Sequence, residues 1–232
     1  MRRSFRPSGE TGLTLESAER TSMPRLDHIV FAARSLAEGT DWLTGQLGCP
    51  PAGGGSHPLM GTHNSLWRMG SAYIEMICID PQATPPARNR WYSLDDPATQ
   101  SRLVQGPLLL HWVVEVADLT AARAAGLTDP GPPLRVTRDD LYWDLTVPED
   151  GGLQWSGAYP TLIAWPEGVD PPAARMPDQG ITLNRLTVHG PEVLGEELNA
   201  LGARDLVRFN NASQPGLQLE ITTGDGGSAL FR

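Results

Sequence analysis

The sequence predicts an α+β fold built from repeated βαβββ modules, and three observations carry that reading. Two stretches can be laid over one another: His28-Ile29-Val30-Phe31-Ala32-Ala33-Arg34-Ser35-Leu36 and His111-Trp112-Val113-Val114-Glu115-Val116-Ala117-Asp118-Leu119. Each opens on a histidine inside an apolar, β-branched run, and seven residues later reaches the Ser-Leu or Asp-Leu that starts a helix. After the first such unit the chain reads as a glycine-rich loop and two further strands, and near residue 108 the pattern restarts. A weaker third copy begins at Ile181. Self-similarity of this kind marks a duplicated module, and the duplication places two imidazoles at the same register.

Leu26–Ala33 reads as the first strand, with Leu26, His28, Val30 and Ala32 on one face and Asp27, Ile29, Phe31 and Ala33 on the other. Ser35 is a candidate N-cap. The helix that follows carries Leu36, Leu43 and Leu47 on one stripe and stops at Gly48. The loop Gly53-Gly54-Gly55-Ser56-His57 leads to strands at Thr62–Met69 and Ala72–Asp80, joined by a Gly70-Ser71 turn. Residues 81–107 read as a linker. Leu108–Val116 is the next strand, Asp118 a candidate N-cap, and Leu119–Ala125 a short helix ending at Gly126. Strands follow at Leu134–Thr137, Leu141–Val147 and Thr161–Trp165. The third unit has a strand at Leu183–Val188, a helix at Val193–Leu201, and strands at Asp205–Asn210 and Leu217–Thr222. Arg185 falls at the register of His28 and Glu220 at that of Glu75, so an ion pair is expected where the other copies carry the histidine.

The bulk properties exclude some classes. The 232 residues suffice for one large domain or two small ones. With 27 acidic and 18 basic side chains the net charge is −9, which argues against a nucleic-acid partner, since such proteins need a basic face. No stretch approaches the roughly 20 apolar residues that span a bilayer, so no membrane partner is expected. Residues 1–23 read as a disordered tail without the apolar core of a secretory signal. Two cysteines, Cys49 and Cys78, make no disulfide framework, and a cytoplasmic location is the default expectation.

Within this framework the chain resembles the glyoxalase-like domain proteins of the vicinal oxygen chelate superfamily (glyoxalase, bleomycin resistance, extradiol dioxygenase). The likeness rests on Leu26-Asp27-His28-Ile29-Val30, on Gly55-Ser56-His57-Pro58-Leu59-Met60-Gly61-Thr62-His63-Asn64, on Tyr73-Ile74-Glu75-Met76-Ile77, on Arg90-Trp91-Tyr92-Ser93-Leu94, and more loosely on Pro160-Thr161-Leu162-Ile163-Ala164-Trp165. It spans residues 24–224, as module one at 24–80, the linker, module two at 108–168 and a partial βαββ unit at 181–224. It implies paired modules forming a half-open mixed sheet, helices on the convex side, and a concave pocket for a small molecule, often over a divalent metal. Modules of this kind pair within or between chains, so a homodimer is one arrangement the likeness allows.

The resemblance places metal ligands at His28, Glu75 and His111. The fourth position falls near Ile163-Ala164, where there is no carboxylate. Two imidazoles and one carboxylate with open positions suit Fe, Mn, Ni or Zn as the cofactor, and such an ion supports lyase, isomerase or dioxygenase chemistry on a small oxygenated ligand. The alternative is a metal-free small-molecule binding or drug-sequestering protein, in which these side chains only pack or hydrogen-bond. On the glycine-rich loop and the strand after it, His57 and His63 are candidate catalytic acid/base groups and Asn64 a substrate contact; a solvated turn accounts for them equally well. Trp67 and Trp143 are candidate pocket walls, with core packing as the competing use. Arg138-Asp139-Asp140 reads as a turn between strands.

Overall fold

The computed structural model describes residues 23–232. Of the expected tail, everything but Met23 lies outside the described residues. The first module contains β1 (Arg25–Ala32), α1 (Leu36–Leu47), β2 (Gly53–His57), β3 (Thr62–Met69) and β4 (Ala72–Ile79). Ser35 caps α1, its hydroxyl accepting from the Glu38 N–H, and Gly48 ends it with a left-handed φ of 71°. The second module contains α2 (Pro97–Leu103) in the linker, then β5 (Leu108–Glu115), α3 (Leu119–Arg123), β6 (Pro133–Arg138), β7 (Leu141–Thr146) and β8 (Thr161–Ala164). After α4 (Pro172–Arg175) come β9 (Thr182–Gly190), α5 (Glu192–Ala200), β10 (Arg208–Asn211), β11 (Gly216–Thr222) and β12 (Ser228–Phe231).

The first eight strands form one mixed sheet in the order β2-β3-β4-β1-β5-β8-β7-β6. Each half is the same unit: β1 runs parallel to β4 and β5 parallel to β8. The halves join through antiparallel β1 and β5, so the duplication shows as an approximate mirror of strand order about that seam. The sheet curls until its two edges meet: a Cβ built on Gly55 in β2 would lie 2.9 Å from Cδ of Arg138 in β6. The remaining strands form a second sheet, β10-β9-β11-β12.

Alternation along β1 assigns the two faces. Ile29 and Phe31 join a core with Leu43 and Leu47 of α1, Trp67, Ile74, Trp112, Leu219 and Phe231. Val30 and Ala32 point into the concave side with Ile77, Trp91, Tyr92, Val113, Trp143 and Leu145. The second sheet is needed on the convex side because α3 has 5 residues against 12 in α1; Leu219 and Ile221 of β11 supply the apolar cover that a longer helix would have given.

Several elements depart from the sequence reading, the short helix α4 among them. Gly53–His57 is an edge strand paired with β3, not a loop, because tertiary pairing overrides glycine's poor strand propensity. Residues 97–103 form a helix inside the expected linker, capped by Asp96 with Pro97 in its first turn. The expected strand Asp205–Asn210 begins as a 3₁₀ turn over Arg204–Leu206. The chain also closes with β12, beyond the last expected strand. The third copy carries the expected pair, Arg185 facing Glu220 at 3.6 Å.

Candidate functional site

The concave side holds a small hollow lined by His28, His57, Tyr73, Glu75, Trp91, Tyr92, Arg138, Trp143, Leu145, Trp165 and Pro172. Measured by where the centre of a water can sit, its free space is about 10 Å³, enough for a single water.

At its centre is a histidine between two carboxylates. His28 Nδ1 lies 2.6 Å from Asp27 Oδ1, and Nε2 lies 3.5 Å from Glu75 Oε2. The ring stacks on Tyr73 at 4.5 Å. Strict alternation would send Asp27 and His28 to opposite faces. The pairing of β1 with β5 slips between Leu26 and His28, and this bulge brings both to the same place. The second oxygen of Asp27 accepts from the Trp165 indole N–H at 2.7 Å. Burial works against charge on His28, but hydrogen bonds to Asp27 and Glu75 outweigh it and raise its pKa to about 9. Burial likewise opposes charge on Glu75, yet the His28 hydrogen bond and positive charge, with the Asn64 hydrogen bond, bring it down to about 2. The resting pair is therefore imidazolium and carboxylate.

Asn64 organises the neighbouring groups. Its Oδ1 accepts from the Gly55 N–H at 2.9 Å, which fixes the amide so that Nδ2 donates to Glu75 Oε1 at 2.5 Å. The same nitrogen lies 3.4 Å from His57 Nε2, which is thereby the acceptor, leaving Nδ1–H to donate to Thr62 Oγ1 at 3.1 Å. Gly54 makes this approach possible: at φ 149° a Cβ there would sit 2.3 Å from the Asn64 carbonyl oxygen. Burial pushes the His57 pKa down to about 4, so the ring is neutral.

The aromatic wall comes partly from the linker. Tyr92 and Ser93 have left-handed backbones, φ 58° and 54°, a conformation that costs about 1–2 kcal/mol per residue. The Ser93 N–H donates to the Gly151 carbonyl at 2.8 Å and its hydroxyl accepts from the Leu153 N–H at 2.9 Å, which holds the turn. The turn delivers Trp91 and Tyr92 to the hollow.

The structure gathers some of the expected residues and not others. His28, Glu75, His57 and Trp143 line the hollow, and Asn64 stands behind Glu75. His63 and Trp67 do not reach it. They share a parity on β3 opposite to Asn64, so they face the convex side: Trp67 is in the core with its N–H on the Cys49 carbonyl, and His63 lines a separate cleft with Leu36 and Gln100. His111 also departs from expectation. The Thr161 N–H donates to its Nε2 at 3.0 Å, so Nδ1–H donates to the Gly157 carbonyl at 2.9 Å, and neither nitrogen is open to an ion. Burial lowers its pKa to about 3, which keeps it neutral in this structural role.

The donor set consequently does not fit the expected Fe, Mn, Ni or Zn. Of the trio, His28 and Glu75 meet, but they are bonded to one another and His111 is engaged elsewhere. Among the described residues no three His, Cys, Asp or Glu groups are placed to hold a metal ion. Nor is any helix among them long and apolar enough to cross a membrane.

Sequence reasoning missed Asp27, Trp165, Arg138 and Pro172 at the site. The bulge hid Asp27, and Trp165 and Pro172 reach the hollow through long-range placement. Arg138 carried a usable signal, since it shares an inward parity with fully buried Val136.

Comparison with known proteins agrees with this architecture. The model of the glyoxalase-like domain family matches residues 26–204. A hypothetical protein from Staphylococcus aureus superposes with a TM-score of 0.57 at 14% identity, covering 90% of this chain and 99% of that one. Methylmalonyl-CoA epimerase from Mycobacterium tuberculosis gives a TM-score of 0.40 at 15% identity over 62% of this chain and 89% of that one. A methylmalonyl-CoA epimerase in complex with methylmalonyl-CoA and NH4+ gives 0.41 at 18% identity over 65% and 100%. A search of curated proteins found no match. The family match over residues 26–204 shows that the chain belongs to the glyoxalase-like domain family, and the fold and repeated modules agree with it.

Proposed function

We propose that this chain binds a small oxygenated molecule in the concave hollow, with the His28 imidazolium as the group that receives the ligand's oxygen and no divalent ion between protein and ligand. The observation that carries the reading is the Asp27–His28–Glu75 chain on the floor of an aromatic-walled hollow. A buried imidazolium donates a stronger hydrogen bond than a neutral ring. Asp27 takes the Nδ1–H, and Nε2–H faces Glu75 at 3.5 Å, a long contact that an entering oxygen would share or displace. A ligand larger than one water needs the wall to give way, and Pro172, on the connection between β8 and β9, is one of the lining residues outside both sheets, with Trp91, Tyr92 and Trp165.

A second reading, proton-transfer chemistry of the isomerase or lyase type, draws support from the same chain. His28 can pass its Nε2 proton to a developing oxyanion and keep its Nδ1–H on Asp27, leaving a neutral ring of fixed tautomer. Thermal-shift screening of the full chain against small hydroxy, oxo and carboxylic compounds, repeated with His28→Asn, tests binding. Hits that lose their effect in the variant support the reading; hits that keep it place the ligand elsewhere. Exchange of a hit's C–H protons in D₂O, present in the native protein and absent in His28→Asn, separates the enzyme from the binder.

A further inference from the structure

The hollow contains a guanidinium with no carboxylate in direct contact among the described residues. Arg138 is 6% exposed and is the only arginine among the described residues that is buried to this degree. Among the described residues its single polar side-chain contact is a long one, 3.5 Å from one guanidinium nitrogen to Asn64 Oδ1, and its guanidinium carbon lies 6.0 Å from the centre of the Trp143 ring. Among the described residues no carboxylate oxygen comes within 4.0 Å of it, although Arg25, Arg90, Arg123, Arg135, Arg175 and Arg185 all have such partners nearer the surface. A guanidinium cannot shed its proton to escape the cost of burial, and it presents five donors in a fixed fork.

A second donor stands in the same wall. Trp91 is 3% exposed, and its buried indole nitrogen has no hydrogen-bond partner among the described residues. The acceptors are already engaged: Asp27 by His28 and Trp165, Glu75 by His28 and Asn64. Asp27 and Glu75 balance His28 and Arg138 in charge, but the guanidinium and the Trp91 N–H lack close acceptors, and what satisfies both is an acceptor-rich group. A planar carboxylate matches the guanidinium fork. Arg138 touches Asn64, Asn64 touches Glu75 and Glu75 faces His28, and the guanidinium and the imidazolium line one hollow.

We propose that the ligand of the hollow is a small carboxylate, held by the Arg138 guanidinium with the Trp91 N–H as second donor, and with its neighbouring oxygen on His28. The proposal rests on the hollow being the ligand site and adds the chemical class of what enters it.

The test is calorimetry and thermal shift on the full chain with acetate, benzoate and mandelate, with mandelamide as the neutral analogue and inorganic phosphate as a non-planar anion. Mandelate is expected to bind at least about tenfold more tightly than mandelamide and than phosphate. Arg138→Met should weaken mandelate by about 30-fold or more, and Trp91→Phe, which keeps an aromatic ring, by about fivefold. Without ligand, Arg138→Met should melt at the native temperature or higher, because it removes an unpaired buried charge. A lower melting temperature for that variant would show the guanidinium to be structural and overturn the proposal. So would equal affinity for mandelate and mandelamide, preference for phosphate, or no response to any of the three carboxylates. Equal binding of acid and amide that disappears in His28→Asn would leave the hollow as the ligand site and remove only the carboxylate. Mandelate binding that survives both His28→Asn and Arg138→Met would remove both readings.

Discussion

His28, His57 and His111 are all buried, yet they are held in opposite states. His28 is charged between carboxylates, while the other two are neutral with a defined tautomer. The consequence is a stability profile with a definite shape. Below pH 6.5 the unfolded chain takes up protons at His57 and His111 that the native protein refuses until about pH 4 and 3, so stability falls with acid by up to about 2.7 kcal/mol per pH unit. Below pH 4.5 Glu75, depressed to about 2, steepens the loss. Above pH 6.5 the native protein keeps a proton on His28 that the unfolded chain releases, and stability declines by about 1.4 kcal/mol per unit until about pH 9. Urea unfolding across pH 4–10 should therefore peak near 6.5 and be steeper on the acid side. Asp27→Ala, which strips a buried imidazolium of its nearer partner, should cost about 3 kcal/mol and flatten the alkaline limb. Zinc, manganese or a chelator should leave the melting temperature unchanged, because His111 is committed to Gly157 and Thr161. The family resemblance pointed to His28 and Glu75, while period-two counting set Asp27 on the face opposite His28, because a bulge is a property of two paired strands and cannot be read from either alone.

At the level of elements, the strands that build the floor were readable and the segments that close the hollow were not. β1, β3, β4 and β5 announce themselves by apolar alternation, and Asp96-Pro97 carries the N-cap signature of α2. The Trp91–Tyr92 turn and α4 depend on distant partners. The connection carrying α4 is fastened at one point by the exposed Arg175–Asp140 pair, 2.7 Å, and at others by the Arg68 guanidinium on the Met176 carbonyl and by Gln179 on the Pro50 carbonyl. An exposed, solvent-screened pair of this kind adds little to stability. Arg175→Ala should leave the melting temperature nearly unchanged. It should also raise acrylamide quenching of the tryptophans that line the hollow, Trp91, Trp143 and Trp165; unchanged quenching would mean that this pair does not restrain the wall.

Across the whole molecule, the second sheet is a structural necessity of the short α3. Phe231 in the final strand packs edge-on against Phe31 of β1 at 4.9 Å and lies 5.8 Å from Trp42 of α1. Phe231→Ala should cost about 3 kcal/mol, measured by urea unfolding, even though it sits one residue from the end of the sequence. The third repeat was legible in outline because its helix and strands keep the module's pattern. Its role as cover was not, since that depends on how much of the neighbouring face is left bare.

The meeting of the sheet's two edges has a last consequence. Arg138 and Trp143 come from one half of the chain, and His28, Asn64 and Glu75 from the other. Neither repeat encloses anything by itself. Polypeptides cut apart in the connecting segment would each lack a wall, and ligand recognition should reappear only on mixing the complementary fragments.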